Sequence, residues 1–302
     1  MSEEIHFACT ACGKCCTEPP EMTVLEAIRL GDVFVPSIVY RVTSVPNDDN
    51  EAALASLKPH RHFAGMDARE LVSRLRESSA VRGAGAVVRE PGWEHHLSVT
   101  SRPWTFPAPH CPALGADGKA CTIHERRPHT CRTVPVRYDV PEGLVVRAFR
   151  GTVDAGRAAR DPWECDVSDA APVLIRDGVV VDPAYAAARA AGVEAALAER
   201  ELSARILTSP LLPKIADVFP RLRGGQLVSV SFHGALAAAH DLGLVDHAAA
   251  RAFCDAQLAL LDREIAAALA RKRREDREVT ARFRTLVTAY ETMRRRLTAE
   301  HS

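Results

Sequence analysis

The chain has 302 residues, of which 47% are hydrophobic and only 5% aromatic, and this length suffices for a sizeable core in one large or two modest domains. Its 39 basic and 39 acidic residues balance to a formal net charge of zero, so the overall charge gives no support for binding to nucleic acid or to an anionic membrane. No apolar run approaches the roughly 20 residues of a membrane-spanning helix, and the first residues lack a signal-peptide pattern. We therefore expect a cytoplasmic protein.

Four cysteines fall within eight residues near the start of the chain: Cys9, Cys12, Cys15 and Cys16. The first three are each separated by two residues, and this spacing lets one turning loop direct successive sulfurs to a common point, as metal and cluster loops require. Gly13 allows a backbone conformation there that other residues resist. Neighbouring side chains in an extended segment point to opposite sides, so we expect Cys15 and Cys16 to face two different sites.

Two helices are predicted after this loop. The first covers residues 23–33, with Thr23 as its N-cap and Glu26 completing a capping box. The second covers residues 67–77 and begins after Asp67 as its N-cap. Short strands are predicted at residues 86–89, 97–101, 134–138 and 144–149, the last two joined as a hairpin.

Three further cysteines, Cys111, Cys121 and Cys131, are each separated by nine residues. A Gly-Ala-Asp-Gly-Lys turn predicts that Cys111 and Cys121 approach each other across a hairpin-like loop. A short segment that ends at Pro128 is then expected to bring Cys131 back towards them. Cys165 follows nearby. In a reducing compartment, clustered thiols are more often metal ligands or redox groups than structural disulfides. We therefore predict a metal or cluster site formed by Cys9, Cys12, Cys15, Cys16, Cys111, Cys121, Cys131 and Cys165.

The two groups read Cys-x2-Cys-x2-Cys-Cys and Cys-Pro-x-Leu…Cys-x-Ile-x-Glu-x-Arg-Pro-x-x-Cys-Arg. In combination they resemble the bacterial CxxCxxCC cysteine-cluster family over roughly residues 7–165. The resemblance implies chelation of zinc or iron by the seven motif cysteines, with Cys165 a weaker candidate. Some relatives are described as flagellin lysine N-methylases, so methyl transfer is the alternative that the resemblance implies. Where members often have Tyr, this chain has His124, which adds a ligand or a proton carrier.

Eight thiolates are the number needed for two four-coordinate sites, either two zincs or two iron–sulfur clusters such as 4Fe-4S. A closed set of thiolates is structural or electron-carrying, whereas replacement of one sulfur by His124 or solvent leaves a position for Lewis-acid chemistry. The negative charge of such sites favours basic neighbours, and five lie beside the cysteines: Lys14, Lys119, Arg126, Arg127 and Arg132.

Two classes of function therefore stay open. The first is a metal-binding module that chelates zinc or iron, and the second is an iron–sulfur or metal-dependent enzyme of the redox or protein lysine N-methylase type. A methyltransferase is expected to have a glycine-rich loop after its first strand, and the chain has none, so we prefer the first class. The sequence names no substrate.

The remaining cysteine and the other histidines have simpler interpretations. Cys254 lies alone in a helical stretch, where we predict a small buried hydrophobic residue. His95 and His96 alternate faces of a probable strand, so at most one faces the core. His110 and His129 flank cysteines, and each is as well suited to hydrogen-bond a metal ligand as to be one.

The rest of the chain predicts a hairpin and then a helical region. Residues 173–182 form a tight hairpin with Asp177-Gly178 at its turn. Helices are predicted at residues 183–207, 214–219, 232–242, 247–269 and 279–297. The fully charged stretch 271–278 predicts either a solvated joint or an exposed turn of one long helix. The basic excess and the apolar stripe at the C-terminus suit a protein partner or a homodimer.

The predicted fold class is α+β. A small, irregular, cysteine-rich metal-binding α+β domain occupies residues 1–182, and a mainly α-helical C-terminal region occupies residues 183–302.

Overall fold

The computed structural model describes residues 3–17, 19–47, 50–56, 67–82, 85–104, 111–224, 226 and 228–299. In these ranges the fold is α+β, with two antiparallel sheets and a helical C-terminus, as predicted. The strands are β1 Glu4–His6, β2 Pro36–Pro46, β3 Ala86–Glu90, β4 Trp93–Pro103, β5 Val173–Arg176, β6 Val179–Val180 and β7 Val228–Ser231. The helices are α1 Val24–Arg29, α2 Glu51–Ser56, α3 Ala68–Val81, α4 His129–Arg132, α5 Val145–Arg157, α6 Pro183–Ala198, α7 Arg200–Leu207, α8 Ile215–Arg223, α9 His233–Asp241, α10 His247–Arg271 and α11 Asp276–Ala299.

The larger sheet has the strand order β3-β4-β2-β7. Its centre is the pair β2 and β4, which are 11 residues long and pair along their whole length. β3 and β4 contain the two strands predicted before the second cysteine group, but no strand was expected at β2. Ile38, Val39 and Tyr40 are all buried, so both faces of β2 are covered and the alternating pattern that identifies a half-exposed strand is missing.

The smaller sheet has the order β1-β5-β6 and contains the predicted hairpin. Asp177 (φ 50°) and Gly178 (φ 82°) form its turn, and both adopt the left-handed conformation that a type I′ turn needs. β1 pairs with β5, with Glu4 opposite Arg176. This pairing anchors the start of the chain, and the cysteine loop that follows it, beside the segment that contains Cys165.

The hairpin predicted at residues 134–138 and 144–149 is wrong. Its second strand lies in α5, where Val145, Phe149 and Val153 recur every four residues and are all buried. This helical periodicity overrides the β-propensity of the valines, because the helix covers the smaller sheet with one apolar face.

The two helix N-caps predicted from sequence, Thr23 and Asp67, are confirmed, whereas the helix predicted at 183–207 is divided into α6 and α7. Thr23 Oγ1 accepts a hydrogen bond from Glu26 N at 3.2 Å, and the Glu26 carboxylate accepts one from Thr23 N at 2.9 Å, which completes the capping box of α1. Asp67 caps α3 by accepting hydrogen bonds from two backbone N–H groups of its first turn. The charged joint is confirmed too, because α10 ends at Arg271, Lys272 takes a left-handed conformation and α11 begins at Asp276.

The main core draws side chains from both predicted regions. Phe34 and Tyr40 from the N-terminal region lie in one apolar cluster with Phe253 from the helical region, and β7 extends the larger sheet. The amide of Gln257 donates hydrogen bonds to Gly31 O and Phe34 O at 2.5 and 2.8 Å. The division at residue 182 stays a prediction. None of the described helices combines the length and apolarity needed to cross a membrane.

Candidate metal centre

All eight cysteines predicted as ligands line one cavity of about 100 Å³. They come from three places in the chain, namely the opening loop at residues 9–16, the segment at residues 111–131, and Cys165 ahead of β5. All nine cysteines of the chain carry free thiols. The ninth, Cys254, is fully buried in the main core, as predicted.

The opening loop turns at two residues with positive φ, Ala11 (56°) and Gly13 (75°). A Cβ atom on Gly13 would lie 2.4 Å from Gly118 O and 2.9 Å from Lys119 O. Such distances are shorter than any van der Waals contact, so glycine is required both by the backbone conformation and by the close approach. The opening loop therefore packs directly on the turn inside the second cysteine segment.

The expectation that Cys15 and Cys16 face two different sites rests on an extended segment. That premise is wrong, while the division between two sites stays a prediction. Residues Lys14–Thr17 form a short 3₁₀ helix rather than an extended segment, and both thiols reach the same cavity. The two thiols hydrogen-bond to each other, and this bond is the main reason why the pKa of Cys15 is raised and that of Cys16 is lowered.

Backbone contacts join the second cysteine segment to the opening loop. Cys111 N donates a hydrogen bond to Cys16 O at 3.0 Å. Leu114 and Cys121 form an isolated antiparallel bridge, which closes the predicted hairpin-like loop and brings Cys121 back towards Cys111. Burial is the main cause of the raised pKa of the Cys111 thiol, and the nearby charge of Cys121 adds to it.

Cys131 lies on α4, the single helical turn that follows Pro128. Burial raises the pKa of its thiol to about 12, and the charges of Cys111 and Cys121 act in the same direction. Cys16 has Cys111, Cys131 and Cys121 as its charged neighbours besides Cys15. The charge of Cys15 also raises the pKa of Cys111 and Cys131, so five thiols lie near one another at this end of the cavity.

Cys165 lies at the other end, against the opening loop. Ala8 and Asp166 form an isolated bridge with N–O distances of 2.8 and 3.1 Å, which places Cys9 beside Cys165. Burial, with smaller contributions from the charges of Cys12, Cys9 and Cys15, raises the pKa of the Cys165 thiol to about 11.

The thiols surround the cavity but do not meet at one point. Over the described ranges, no three His, Cys, Asp or Glu side chains form a group that could hold a metal ion as they stand. The shared cavity agrees with the prediction that the two cysteine groups come together, while the ligand set itself stays a prediction. Its chemistry fits zinc or iron, because free thiols, once ionised, are the ligands that both metals take in four-coordinate protein sites.

The basic residues beside the cysteines divide into two groups. Lys119 and Arg127 line the cavity. Lys14 instead pairs with Asp161, Arg126 pairs with Asp32 at 2.9 Å, and Arg132 donates to backbone carbonyls. Two of the five predicted basic neighbours are therefore placed to act on charge inside the cavity.

The histidines near the site have different roles. His124 lines the cavity with 55% of its side chain exposed, and its Nδ1 lies 3.2 Å from the Glu125 carboxylate. His129 is not part of the cavity wall. His110 lies outside the described residues. Of the neighbouring histidines His95 and His96 on β4, only His95 is fully buried, as expected, and it hydrogen-bonds to Ser44 Oγ at 2.9 Å.

Two buried carboxylates that sequence reasoning did not link to the site connect it to the helical region. Glu199 accepts hydrogen bonds from Val24 N and Leu25 N at 2.7 and 2.6 Å at the start of α1. From α1, Glu26 accepts one from His129 N at 2.7 Å, on the helix that carries the last motif cysteine. The capping box identified Glu26 only as a local cap, because no local pattern reveals a partner 103 residues away.

Comparison with known families agrees with this geometry. Residues 8–154 match the family model of the CxxCxxCC domain, described as a putative zinc- or iron-chelating domain. The match includes every cysteine of the cavity except Cys165. No curated protein and no solved structure matches the chain.

Proposed function

Since residues 8–154 match the family model of the CxxCxxCC domain, we propose that this protein chelates zinc or iron through the eight cysteine thiolates that line the cavity. The observation that carries the proposal is their common location: eight of nine cysteines, between residues 9 and 165, line one space. Soft thiolate ligands select zinc and iron–sulfur clusters over magnesium or calcium.

A bound cation accounts for so many thiols in one place. Burial and mutual repulsion keep the pKa of Cys111, Cys131 and Cys165 raised. A bound positive ion lowers the pKa of these thiols, because it stabilises neighbouring ionised sulfurs and releases their protons. Binding therefore also requires the thiols to move inward from the cavity wall.

We assign the thiolates to two four-coordinate centres. The first quartet is Cys9, Cys12, Cys15 and Cys165, and the second quartet is Cys16, Cys111, Cys121 and Cys131. The bridge between Ala8 and Asp166 supports the first quartet. The hydrogen bond from Cys111 N to Cys16 O supports the second.

The basic side chains suit such a pair of centres. Two divalent ions carry four positive charges against eight thiolates, which leaves four negative charges in one cavity. Lys119 and Arg127 lie in its wall, where two fixed positive charges offset part of this excess.

A second candidate function is an iron–sulfur or metal-dependent enzyme of the redox or protein lysine N-methylase type. The observation that favours it is His124, which lies in the cavity wall and is accessible to solvent. A histidine there can carry a proton or replace a sulfur. The chelating function needs fewer assumptions, because it uses only the thiols.

Anaerobic purification with quantification of metal and acid-labile sulfide tests the proposal. Zinc centres give a colourless protein with about two zinc ions per chain and no sulfide, whereas iron–sulfur clusters give a brown protein with matched iron and sulfide. Folded protein without metal above trace amounts would refute chelation.

Paired substitutions test the two quartets. We expect Cys165→Ser and Cys121→Ser each to lose about one of two ions, because each removes a ligand from a different centre, and the double variant to lose both. Metal content per chain measures this. If Cys165→Ser alone releases all metal, the assignment to two separate quartets is wrong, but the proposal that the cysteines chelate metal is still supported.

A further inference from the structure

A second cavity lies behind the second cysteine segment and shares no residue with the cysteine cavity. Its volume is about 30 Å³. The residues that matter for its chemistry are Arg41, Arg82, Arg137, Glu21, Asp139 and Thr100. None of them belongs to the proposed metal centre.

Positive charge exceeds negative charge in this pocket. Arg41 pairs with Glu21. Arg82 and Arg137 both bind the one carboxylate of Asp139, which is only 6% exposed, with Nε–O distances of 2.9 and 2.8 Å. Three guanidinium groups therefore share two carboxylates. Both oxygens of Asp139 are already occupied.

A further carboxyl group in the wall does not restore the balance. Burial raises the pKa of Glu199 to about 7, so near neutral pH this group is only partly ionised. It also already accepts hydrogen bonds from two backbone N–H groups of α1. At neutral pH three guanidinium charges in the pocket wall therefore face two full carboxylate charges and one partial charge.

Two polar atoms of the wall lack a partner. Arg41 Nε and Thr100 Oγ1 are buried, and within the described ranges neither has a hydrogen-bond partner. Burial, followed by the charges of Arg82, Arg102 and Arg137, lowers the pKa of Arg41, and Glu21 opposes this effect. An anion beside Arg41 relieves the repulsion among these groups and satisfies both donors.

We propose that this pocket binds a small oxyanion, either inorganic phosphate or the carboxylate of a small molecule, between Arg41, Arg137 and Thr100. Arg41 Nε and the Thr100 hydroxyl each have a hydrogen bond to donate to such an anion. Arg137, whose Nε and Nη2 already bind Asp139, adds its positive charge. A water-sized group needs roughly 10–15 Å³ of such space, so a cavity of about 30 Å³ has room for the two oxygens that a carboxylate or phosphate directs at Arg41 and Thr100. It excludes a nucleotide or a folded peptide.

Calorimetric titration of the full-length protein with sodium phosphate, and separately with sodium acetate, tests this site at constant ionic strength set with chloride. We expect one saturable site per chain for at least one anion. Saturation by phosphate or by acetate shows whether the site takes inorganic phosphate or a carboxylate. Thr100→Val, which keeps the shape of the side chain, and Arg41→Gln are both expected to weaken binding at least tenfold.

The matched control is Arg29→Gln, because Arg29 is an exposed arginine on α1 outside this pocket, and it is expected to bind as the wild type does. If Arg41→Gln fails to fold, Thr100→Val carries the test alone. Absence of saturation by both anions, or unchanged affinity in Thr100→Val, overturns the proposal. Metal content is unaffected in either case, so this outcome is independent of the proposed metal centre.

Discussion

The cysteines of this chain lie in two different surroundings. Cys12 lines the shared cavity, whereas Cys254 is fully buried among apolar side chains of the main core. Sequence spacing separated the two correctly, since Cys254 has no cysteine neighbour. The location of each thiol thus predicts different consequences of the same substitution.

Replacement of each by serine tests this difference. We expect Cys12→Ser to lose metal and to destabilise the N-terminal region, because metal-binding energy contributes to folding. Cys254→Ser is expected to keep its metal and to lose about 1–3 kcal/mol of unfolding free energy, because it buries a hydroxyl without a partner. Elemental analysis and urea unfolding measure the two effects. Equal metal loss in both variants would refute the assignment of Cys254.

Glu199 gives the fold a pH dependence. Burial raises its pKa from 4.5 to about 7, although two backbone N–H groups oppose the shift and Glu26 adds to it. The folded state therefore holds this proton more tightly than the unfolded chain, so the stabilisation is fully present below about pH 4.5 and is lost as pH rises through about 7.

We expect Glu199→Gln to reduce the fall in unfolding free energy between about pH 5 and pH 8 by up to about 3 kcal/mol, because the variant has no carboxyl proton to lose there. Denaturant titrations of wild type and variant at both pH values measure the difference. Parallel pH profiles would show that Glu199 does not titrate in this range.

At the scale of elements, short sequence patterns correctly predicted the helix caps and the hairpin turn. The caps at Thr23 and Asp67 and the turn at Asp177-Gly178 formed as expected, because their hydrogen bonds connect residues close in sequence. β2 and α5 were not predicted correctly, because contacts made after folding bury both faces of β2 and one face of α5. Tertiary packing determined the secondary structure of these two segments, because their local sequence pattern was ambiguous.

In the candidate site too, some features could be predicted from local sequence and others depend on contacts between distant residues. Seven of the eight cavity cysteines were predicted from their spacing in two motifs and Cys165 from its proximity in sequence, and all eight line one cavity. That Cys15 and Cys16 both line this cavity was not predictable, because it depends on a single 3₁₀ turn. The links through Glu26 and Glu199 join residues more than 100 positions apart, which no periodicity reveals.

The contact between the opening loop and the turn at residues 118–119 predicts a sharp effect of one methyl group. Gly13→Ala places a Cβ atom 2.4 Å from Gly118 O in a backbone conformation with positive φ. We expect a loss of roughly 1–3 kcal/mol of unfolding free energy from the strained backbone alone, and reduced metal content because the loop moves away from the second cysteine segment.

Gly178→Ala is the matched control for this substitution. It has the same backbone requirement, with φ 82°, but nothing lies within 4 Å of the added Cβ atom. The control is expected to lose stability without losing metal. Identical metal content in both variants would mean that the loop contact does not position the thiols.

At the scale of the whole molecule, the cysteine-rich region and the helical region support each other. The helical region supplies a strand to the larger sheet and a glutamine that binds the segment after α1, and α1 in turn contacts the helix carrying Cys131 through Glu26. A protein partner or a second copy at the C-terminal helices stays a prediction. The shared core explains how residues beyond 182 stabilise a site to which they contribute no thiol.

X-ray absorption at the zinc or iron edge of anaerobically purified protein tests the central claim most directly. Coordination by two quartets of thiolates predicts about four sulfur neighbours per metal at about 2.3 Å and no nitrogen or oxygen at shorter distance. A shell dominated by nitrogen or oxygen, or fewer than three sulfurs per metal, would contradict the claim that the cavity cysteines hold the metal.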